Sequence, residues 1–206
     1  LKGAQAELAS AIEIFRDHLG EDHIETLRAK HNLAFMQFNS ELYDLAMQTM
    51  VSVLTGYNKI LEPTHIYLSR AQLLMGRIEQ ARGNLAEAVV HFEKSKATTE
   101  NALGPDNKHV GGRLLYLAIA QAEYGAHSAA IASLDEAQLI YDDLFSLDNF
   151  NQGDIRVYRA YVLNKAGKRE EAVALCAEGM AILGAAMQPE DSYYQEWAGK
   201  CAEIGA

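Results

Sequence analysis

A period of 42 residues runs through the chain and constrains its fold more than any other feature of the sequence. Small residues keep this period in two phases. The first phase holds Ala4, Ala46, Ala88, Ala130 and Ala172. The second phase holds Ala34, Gly76, Ala118, Ala160 and Ala202. Self-similarity at a fixed period of this length is typical of stacked repeats, so we expect each period to fold as one structural unit.

Each period contains two stretches with the spacing of an amphipathic helix. In the first full unit Leu27, Ala34 and Phe38 are seven and four residues apart, and a second helix is predicted over 42–60. In later units a glycine separates the two helices, as a left-handed C-cap favours. Glu41 takes that place in the first full unit, so this turn is predicted to differ. The pattern predicts an all-α fold of about ten helices in antiparallel pairs.

The prolines set the predicted boundaries between units. Pro63, Pro105 and Pro189 share one phase of the repeat, and each can end one helix and begin the next. We expect one repeat domain over residues 1–206. Its predicted parts are a partial unit (1–20), four helix pairs (21–62, 63–104, 105–146 and 147–188) and a capping helix (189–206).

The residues that follow the prolines are predicted to begin the next helices. The predicted N-caps share one phase and are Asp22, Thr64, Asp106 and Asp148. Asp22 and Glu25 have the spacing of a capping box. His23 and His65 lie one period apart, at equivalent helix starts. Stacked repeats hold such side chains too far apart to share a metal ion, so we expect a structural role for both.

Charge and composition exclude several classes of protein. The 206 residues include 18 basic and 28 acidic ones, a net charge of −10, which argues against a nucleic-acid partner. No apolar run is long enough to span a membrane. The chain begins at Leu1 without a methionine or a leader, so we expect a piece of a longer protein. Two cysteines and no leader predict a cytoplasmic protein.

The two cysteines allow two interpretations. Cys176 and Cys201 both fall on apolar helix faces, so buried free thiols are the first expectation. A disulfide between them, across the last helix interface, is the alternative.

The sequence carries no recognisable catalytic or cofactor motif. The segment from Asp148 to Gly153 resembles a calcium loop, but Phe150 occupies the third ligand position and Arg159 the twelfth. No nucleophile elbow, phosphate loop, dinucleotide fingerprint or zinc pattern is present. We therefore expect a protein that is not an enzyme and holds no metal or cofactor.

The segment LGEDHIETLRAKHNLA (19–34), with an echo in LGPDNKHVGGRLLYLA (103–118), resembles the kinesin light chain subtype of the tetratricopeptide repeat. This resemblance implies a right-handed superhelical solenoid with a concave groove lined by the first helix of each pair. In that family asparagines on these helices hold the backbone of a bound peptide. Only Asn32 keeps an asparagine there, and Leu74, Tyr116 and Tyr158 replace it in the other pairs.

The first helices also give the predicted groove residues. Together these candidates are Arg28, Asn32, Phe35, Arg70, Leu74, Arg77, Tyr116, Ile119, Tyr158 and Tyr161. The arginines form a basic strip suited to carboxylates or phosphates, although ion pairs within the chain are an equal alternative. The tyrosines predict an apolar wall that forms hydrogen bonds, or else they pack between neighbouring helices.

These features predict a non-catalytic scaffold module that binds a protein or peptide segment in the concave groove. The partner segment is expected to be acidic, or to carry an apolar anchor. The alternatives are self-association as a homo-oligomer, and a regulatory domain of a bacterial signalling protein such as a kinase or transcription regulator. Both the module and its alternatives fit a chain that belongs to a larger protein.

Overall fold

The computed structural model describes the backbone of residues 2–205 and the side chains of residues 7–205. This part of the chain forms ten helices and no strand, which confirms the all-α expectation. The first five helices are α1 (Lys2–Leu19), α2 (Ile24–Asn39), α3 (Tyr43–Ile60), α4 (Ile66–Ala81) and α5 (Leu85–Leu103). The other five are α6 (Lys108–Glu123), α7 (His127–Leu144), α8 (Phe150–Lys165), α9 (Arg169–Ala186) and α10 (Ser192–Ile204).

The helices divide into two units between Gly104 and Pro105. In unit 1, α2 packs on α3 and α4 on α5, while α1 packs on α2 and α3 on α4. In unit 2, α6 packs on α7 and α8 on α9, α7 contacts α8, and α10 packs on both α8 and α9. Consecutive helices therefore pair within each unit.

The periodic small residues lie where paired helices approach most closely. Every small residue of the two phases between Ala34 and Ala172 is buried, and the alanines among them have no exposed surface. Gly76 is the tightest case, because a Cβ there would lie 2.6 Å from Cε1 of Phe92. Ala202 is exposed, since no described helix follows α10 to cover it. The Ala4 side chain lies outside the described residues.

The helix N-caps lie one residue later than the sequence analysis predicts. The observed caps with side-chain hydrogen bonds are His23, His65, Asn107 and Asn149. Each accepts from the backbone N–H two residues ahead, as His23 Nδ1 does from Glu25 at 3.2 Å. The predicted capping box is absent, because Asp22 instead pairs with Lys59 at 2.8 Å. The histidines thus have the structural role expected of them at these helix starts.

The turn at Glu41 does not differ from the other turns within pairs, contrary to the prediction. Glu41 has φ +61°, and its counterparts Gly83, Gly125 and Gly167 have φ of +82°, +92° and +81°. The next amide in each turn bonds to the carbonyl five residues earlier, as Leu42 N does to Gln37 O at 2.9 Å. The repeat therefore imposes a left-handed backbone conformation at this position even on a glutamate, whose Cβ makes that conformation sterically unfavourable.

We expect Glu41→Gly to raise the free energy of unfolding by about 1 kcal/mol, because glycine adopts this left-handed backbone without steric cost. Glu41 is exposed, so its side chain gives up little packing. Denaturant unfolding followed by circular dichroism measures the change. The reciprocal control is Gly83→Ala, which has open space around its Cβ position and φ +82°, and should destabilise by a similar amount. A glycine variant no more stable than the parent would contradict the interpretation.

The two cysteines form a disulfide, so the expectation of free thiols is wrong and the alternative is correct. Cys176 on α9 and Cys201 on α10 have Cα atoms 5.7 Å apart, and both are buried. The bond links the last helix to the helix pair before it. Disulfides persist in oxidising compartments, so the cysteines no longer support a cytoplasmic protein. In the described part of the chain, no helix combines the length and apolar content that crossing a membrane requires.

Candidate protein-binding surface

The predicted basic strip lies on unit 1 around an open cavity of about 160 Å³. This cavity, here named the basic pocket, is lined by Arg28, His31, Asn32, Tyr57, Tyr67 and Arg70. Helix α2 supplies the first three of these residues, α3 supplies Tyr57, and α4 supplies the last two. Three of the predicted groove residues, Arg28, Asn32 and Arg70, are therefore brought together, although their role in binding stays a prediction.

The two arginines of the basic pocket differ in how their charge is balanced. Arg28 Nη1 donates to both carboxylate oxygens of Glu25, at 2.7 and 2.9 Å. Arg70 is exposed, and no carboxylate among the described residues pairs with it. Both guanidinium groups lie near the Tyr67 ring, with Cζ to centroid distances of 5.8 Å for Arg28 and 5.7 Å for Arg70. The surface thus presents one uncompensated positive charge beside an aromatic ring.

His31 and Tyr57 of the basic pocket are neutral near pH 7. Burial, and then the charge of Arg70, lower the pKa of His31 to about 4. Burial, followed by the neighbouring Tyr67, raises the pKa of Tyr57 to about 12, and Arg28 and Arg70 oppose that rise. The imidazole is therefore uncharged and the tyrosine hydroxyl keeps its proton to donate.

The rest of the predicted unit 1 surface divides into exposed and buried parts. Arg77 lies over two aromatic rings, with Cζ 4.7 Å from the centroid of Phe38 and 5.8 Å from that of Phe35. Phe35 is 42% exposed and sits about one helical turn beyond His31 and Asn32. Leu74 is in the core of unit 1 at 3% exposure, so the structure removes it from the predicted surface.

The apolar wall predicted in unit 2 is not open, because its apolar residues pack against neighbouring helices, and α10 covers Tyr158. Tyr158 is 6% exposed, and its ring centroid lies 4.6 Å from that of Trp197 on α10. Ile119 is also buried in the core of unit 2. For these two residues the alternative interpretation, packing between helices, is the one observed. The apolar spacing is the same for a core and for a binding wall, and only the packing of the neighbouring helices decides between them.

The two remaining predicted tyrosines are partly buried. The Tyr161 hydroxyl donates to Glu123 Oε1 at 2.8 Å, and the Nζ atoms of Lys165 and Lys200 lie 5.3 and 5.8 Å from its ring centroid. Tyr116 also has contacts within the chain. Tyr161 is thus occupied by intramolecular interactions.

A partly buried carboxylate in unit 2 is bonded to a tyrosine of α10. Asp154 accepts a hydrogen bond from the hydroxyl of Tyr193. Burial raises the pKa of Asp154 from its ordinary 3.8 to about 6, and the Tyr193 bond opposes that rise. The charged form of Asp154 is therefore less stable in the folded state than in the unfolded state.

We expect Asp154→Asn to stabilise unit 2 near neutral pH by on the order of 2 kcal/mol, and to have no stabilising effect near pH 4. Because the pKa of Asp154 is higher in the folded state, its protonated form stabilises the folded state. This contribution to the free energy of unfolding is fully present below the unfolded-state pKa and is lost as the pH rises through about 6. Asparagine keeps an acceptor for Tyr193 without a charge. Denaturant unfolding followed by Trp197 fluorescence at both pH values measures this, with exposed Asp143→Asn as the control. Equal stabilisation at both pH values would contradict the assignment.

No group of three or more His, Cys, Asp or Glu side chains within the described side chains is placed to hold a metal ion. The basic pocket itself offers cationic and neutral hydrogen-bond donors, which suit an anionic group. Tyr57 and Tyr67, the aromatic part of the pocket, are absent from the sequence prediction. Tyr67 lies two residues after the start of its helix. The equivalent position one period later is His109, so the repeat does not conserve a tyrosine there that could have indicated a role for Tyr67.

The comparisons with known proteins agree with this architecture. Residues 70–108 match the tetratricopeptide repeat family. A crystal structure of a putative kinesin light chain from Podosopora anserina, with nearly identical TPR-like repeats, is similar at a TM-score of 0.76 and 21% identity, covering 91% of this chain and 89% of that one. The crystal structure of a substitution variant of the same protein has a TM-score of 0.78 and 21% identity, and the match covers 90% of this chain and 87% of that one.

A third similar structure is BtubC (BKLC) from P. vanneervenii, with a TM-score of 0.72, 11% identity, and coverage of 98% of this chain and 82% of that one. No curated protein matches the chain in sequence. At these identities the structural likeness concerns the fold. The fold is that of tetratricopeptide-type repeats similar to those of kinesin light chains, and such folds generally serve as scaffolds for protein–protein interaction.

Proposed function

We propose that this chain, which carries a tetratricopeptide repeat and shares the fold of kinesin light chain-like repeat proteins, is a non-catalytic module that binds an acidic segment of a partner protein. The binding surface is the basic pocket of unit 1 together with Phe35. The observation that carries this proposal is the exposed guanidinium of Arg70, which lies beside an open cavity and has no carboxylate partner among the described residues.

Charge contrast supports an acidic partner. The chain as a whole carries a net charge of −10, so a local cationic surface stands out electrostatically from the rest of the protein. Arginine is well suited to bind carboxylates because its planar guanidinium donates several hydrogen bonds in a fixed geometry. Phe35, at 42% exposure on the same helix, offers an apolar contact next to the pocket. A partner segment with acidic and apolar side chains fits both features.

The test is capture of a partner from source-cell lysate with the parent chain and two matched variants as baits. Arg70→Glu reverses the charge at the basic pocket. Lys108→Glu makes the same change at an exposed first-turn residue of α6 in unit 2, where an acidic side chain is tolerated. We expect one protein to be retained by the parent and by Lys108→Glu, and to be lost at least tenfold with Arg70→Glu. Equal capture by all three baits would contradict the proposal.

Self-association is a second candidate function, favoured by two exposed leucines of unit 2. Leu139 and Leu147 are each 72% exposed, more than the other large apolar residues of the described chain. Exposed apolar side chains of this size are typical of contacts between proteins when they lie close together. Mass measured by light scattering across a dilution series distinguishes the two functions. A dimer that Leu139→Glu dissociates, together with no Arg70-dependent partner, would favour self-association.

A further inference from the structure

A second open cavity lies in unit 2, and its lining combines carboxylates with apolar side chains. Its volume is about 390 Å³, more than twice that of the basic pocket. The cavity, here named the acidic groove, is lined by Pro105, Asp106, Glu136, Leu139, Ile140 and Asp143. Helix α7 supplies the last four of these residues, and the first two precede α6. Because α7 is the second helix of its pair, the acidic groove lies outside the surface that the first helices are expected to line.

The apolar part of the acidic groove includes one strongly exposed side chain. Leu139 is 72% exposed, whereas its neighbour Ile140 is 7% exposed and belongs to the core of unit 2. The four lining residues of α7 are spaced at i, i+3, i+4 and i+7, so they share one face of the helix. Single exposed leucines are common, but one that borders a cavity can bury its side chain by contact with an apolar group there.

Cations of the chain do not balance the charge of the acidic groove. Helix α7 has four carboxylates and no lysine or arginine. Asp135 pairs with Arg159 at 2.8 Å, and Glu136 also has contacts within the chain. Asp106 and Asp143 are exposed, and neither forms an ion pair with any residue in the described part of the chain. The groove therefore presents two uncompensated negative charges.

The position of Asp143 on α7 adds to this imbalance. It lies in the last turn of the helix, where the free backbone carbonyls carry partial negative charge and no basic side chain is present. A carboxylate is unfavourable at this end, whereas a cation interacts favourably with the carboxylate and with the carbonyls. The local electrostatics thus favour a cationic ligand.

A cationic side chain fits the acidic groove better than a metal ion or a second copy of the chain. Three carboxylates line the cavity, but no three His, Cys, Asp or Glu side chains among those described are placed to hold a metal ion together. In a symmetric dimer through this surface, the same carboxylates of two copies would repel each other. A lysine or arginine can pair with Asp143 while its aliphatic stem packs on Leu139.

We propose that the acidic groove docks a basic segment of a partner protein. A lysine or arginine of this segment pairs with Asp143, Asp106 adds to the negative potential, and a neighbouring apolar side chain covers Leu139. Leu139 and Asp143 are one helical turn apart, about 6 Å, so the two partner side chains need a similar separation. Residues i and i+4 of a helix, or i and i+2 of a strand, provide it. The groove belongs to unit 2 and is independent of the basic pocket of unit 1.

The test measures binding of a blocked peptide of alanine and glutamine that carries one lysine and one leucine four residues apart. Comparison peptides replace the lysine by glutamine or the leucine by alanine. Amide resonances of the whole chain, followed by nuclear magnetic resonance at constant ionic strength, report occupancy and location. We expect saturable shifts at Leu139 and Asp143, and weaker binding of both comparison peptides. Asp143→Asn and Leu139→Ala should each weaken binding at least about fivefold.

Variants elsewhere in the chain distinguish docking from general attraction to an acidic protein. Glu93→Gln removes an exposed carboxylate of α5 that has no ion-pair partner in the described chain, and Arg70→Gln changes the basic pocket. Both variants should bind the peptide like the parent. If Glu93→Gln weakens binding as much as Asp143→Asn does, the attraction is general and the proposal is wrong.

Two further outcomes would overturn the proposal. Equal binding of the lysine and glutamine peptides would remove the cation from the site. A dimer that Leu139→Glu dissociates and the peptide does not displace would show that a second copy covers the groove. The altered residues are exposed, so their variants should keep the fold, which circular dichroism verifies. An Arg70-dependent partner without peptide binding refutes the acidic groove alone, whereas peptide binding without such a partner refutes the proposed function alone.

Discussion

Reduction of the disulfide between Cys176 and Cys201 is expected to lower the free energy of unfolding of unit 2 by about 3 kcal/mol. The bond closes a loop with a sequence separation of 25 residues, and loss of a cross-link of that length releases chain entropy in the unfolded state. It also joins α10 to α9, so its loss frees the helix that covers Tyr158. Unit 2 should therefore lose stability at its last helix first.

Trp197 provides a local probe for this experiment, because it is the sole tryptophan of the chain and lies on α10. Denaturant unfolding followed by Trp197 fluorescence, with and without a phosphine reductant, measures the change in unit 2. The control is the double variant Cys176→Ala with Cys201→Ala, which should resemble the reduced parent and be insensitive to reductant. If reductant leaves the parent unchanged while the thiols are confirmed to be free, the disulfide does not stabilise the unit.

Most of the architecture could be predicted because it depends on spacing alone. A small residue at each helix crossing leaves room for the partner backbone, and that requirement repeats whenever the pair repeats. Ala46, Ala88 and Ala130 therefore identify the second helices without any knowledge of the tertiary structure. The helix pairs, their order and the number of helices all follow from such positions.

The N-caps and the turn at Glu41 were mispredicted for a common reason. Intrinsic preference favours Asp22 over His23 as a cap and glycine over glutamate in a left-handed turn. In the structure the geometry of the repeat fixes which residue occupies each position, and the side chain found there adapts. Asn107 and Asn149, in the same phase as His23, were the signal in the sequence that the cap lies one residue later.

The candidate site was predicted in part. Arg28 and Arg70 share a phase on successive first helices, so the period alone brings them to the same side of unit 1. Tyr57 was missed because it lies on a second helix among apolar residues, where the pattern for a core residue and for a pocket donor is identical. For Tyr158 the sequence leaves both the groove wall and packing between helices open, since the position of α10 cannot be deduced from the spacing of α8.

Gly179→Ala is expected to destabilise unit 2 by about 2–3 kcal/mol, because it places a methyl group where α8 and α9 are in backbone contact. A Cβ at Gly179 would lie 2.9 Å from the carbonyl oxygen of Gly153 and 2.7 Å from Cγ1 of Val157. A Cβ at Gly153 would in turn lie 3.1 Å from the carbonyl oxygen of Gly179. A carbonyl oxygen cannot rotate away as a side chain can, so the helices must separate.

The matched control for this prediction is Gly199→Ala on α10, where no atom lies within 4 Å of the added Cβ. There the substitution should stabilise by about 0.5–1 kcal/mol, because alanine has the higher helix propensity. Denaturant unfolding followed by Trp197 fluorescence compares both variants with the parent. Opposite signs at the two glycines would show that close approach of α8 and α9, and not glycine content, determines the effect. A Gly179→Ala variant as stable as the parent would mean that the two helices can separate without loss of packing.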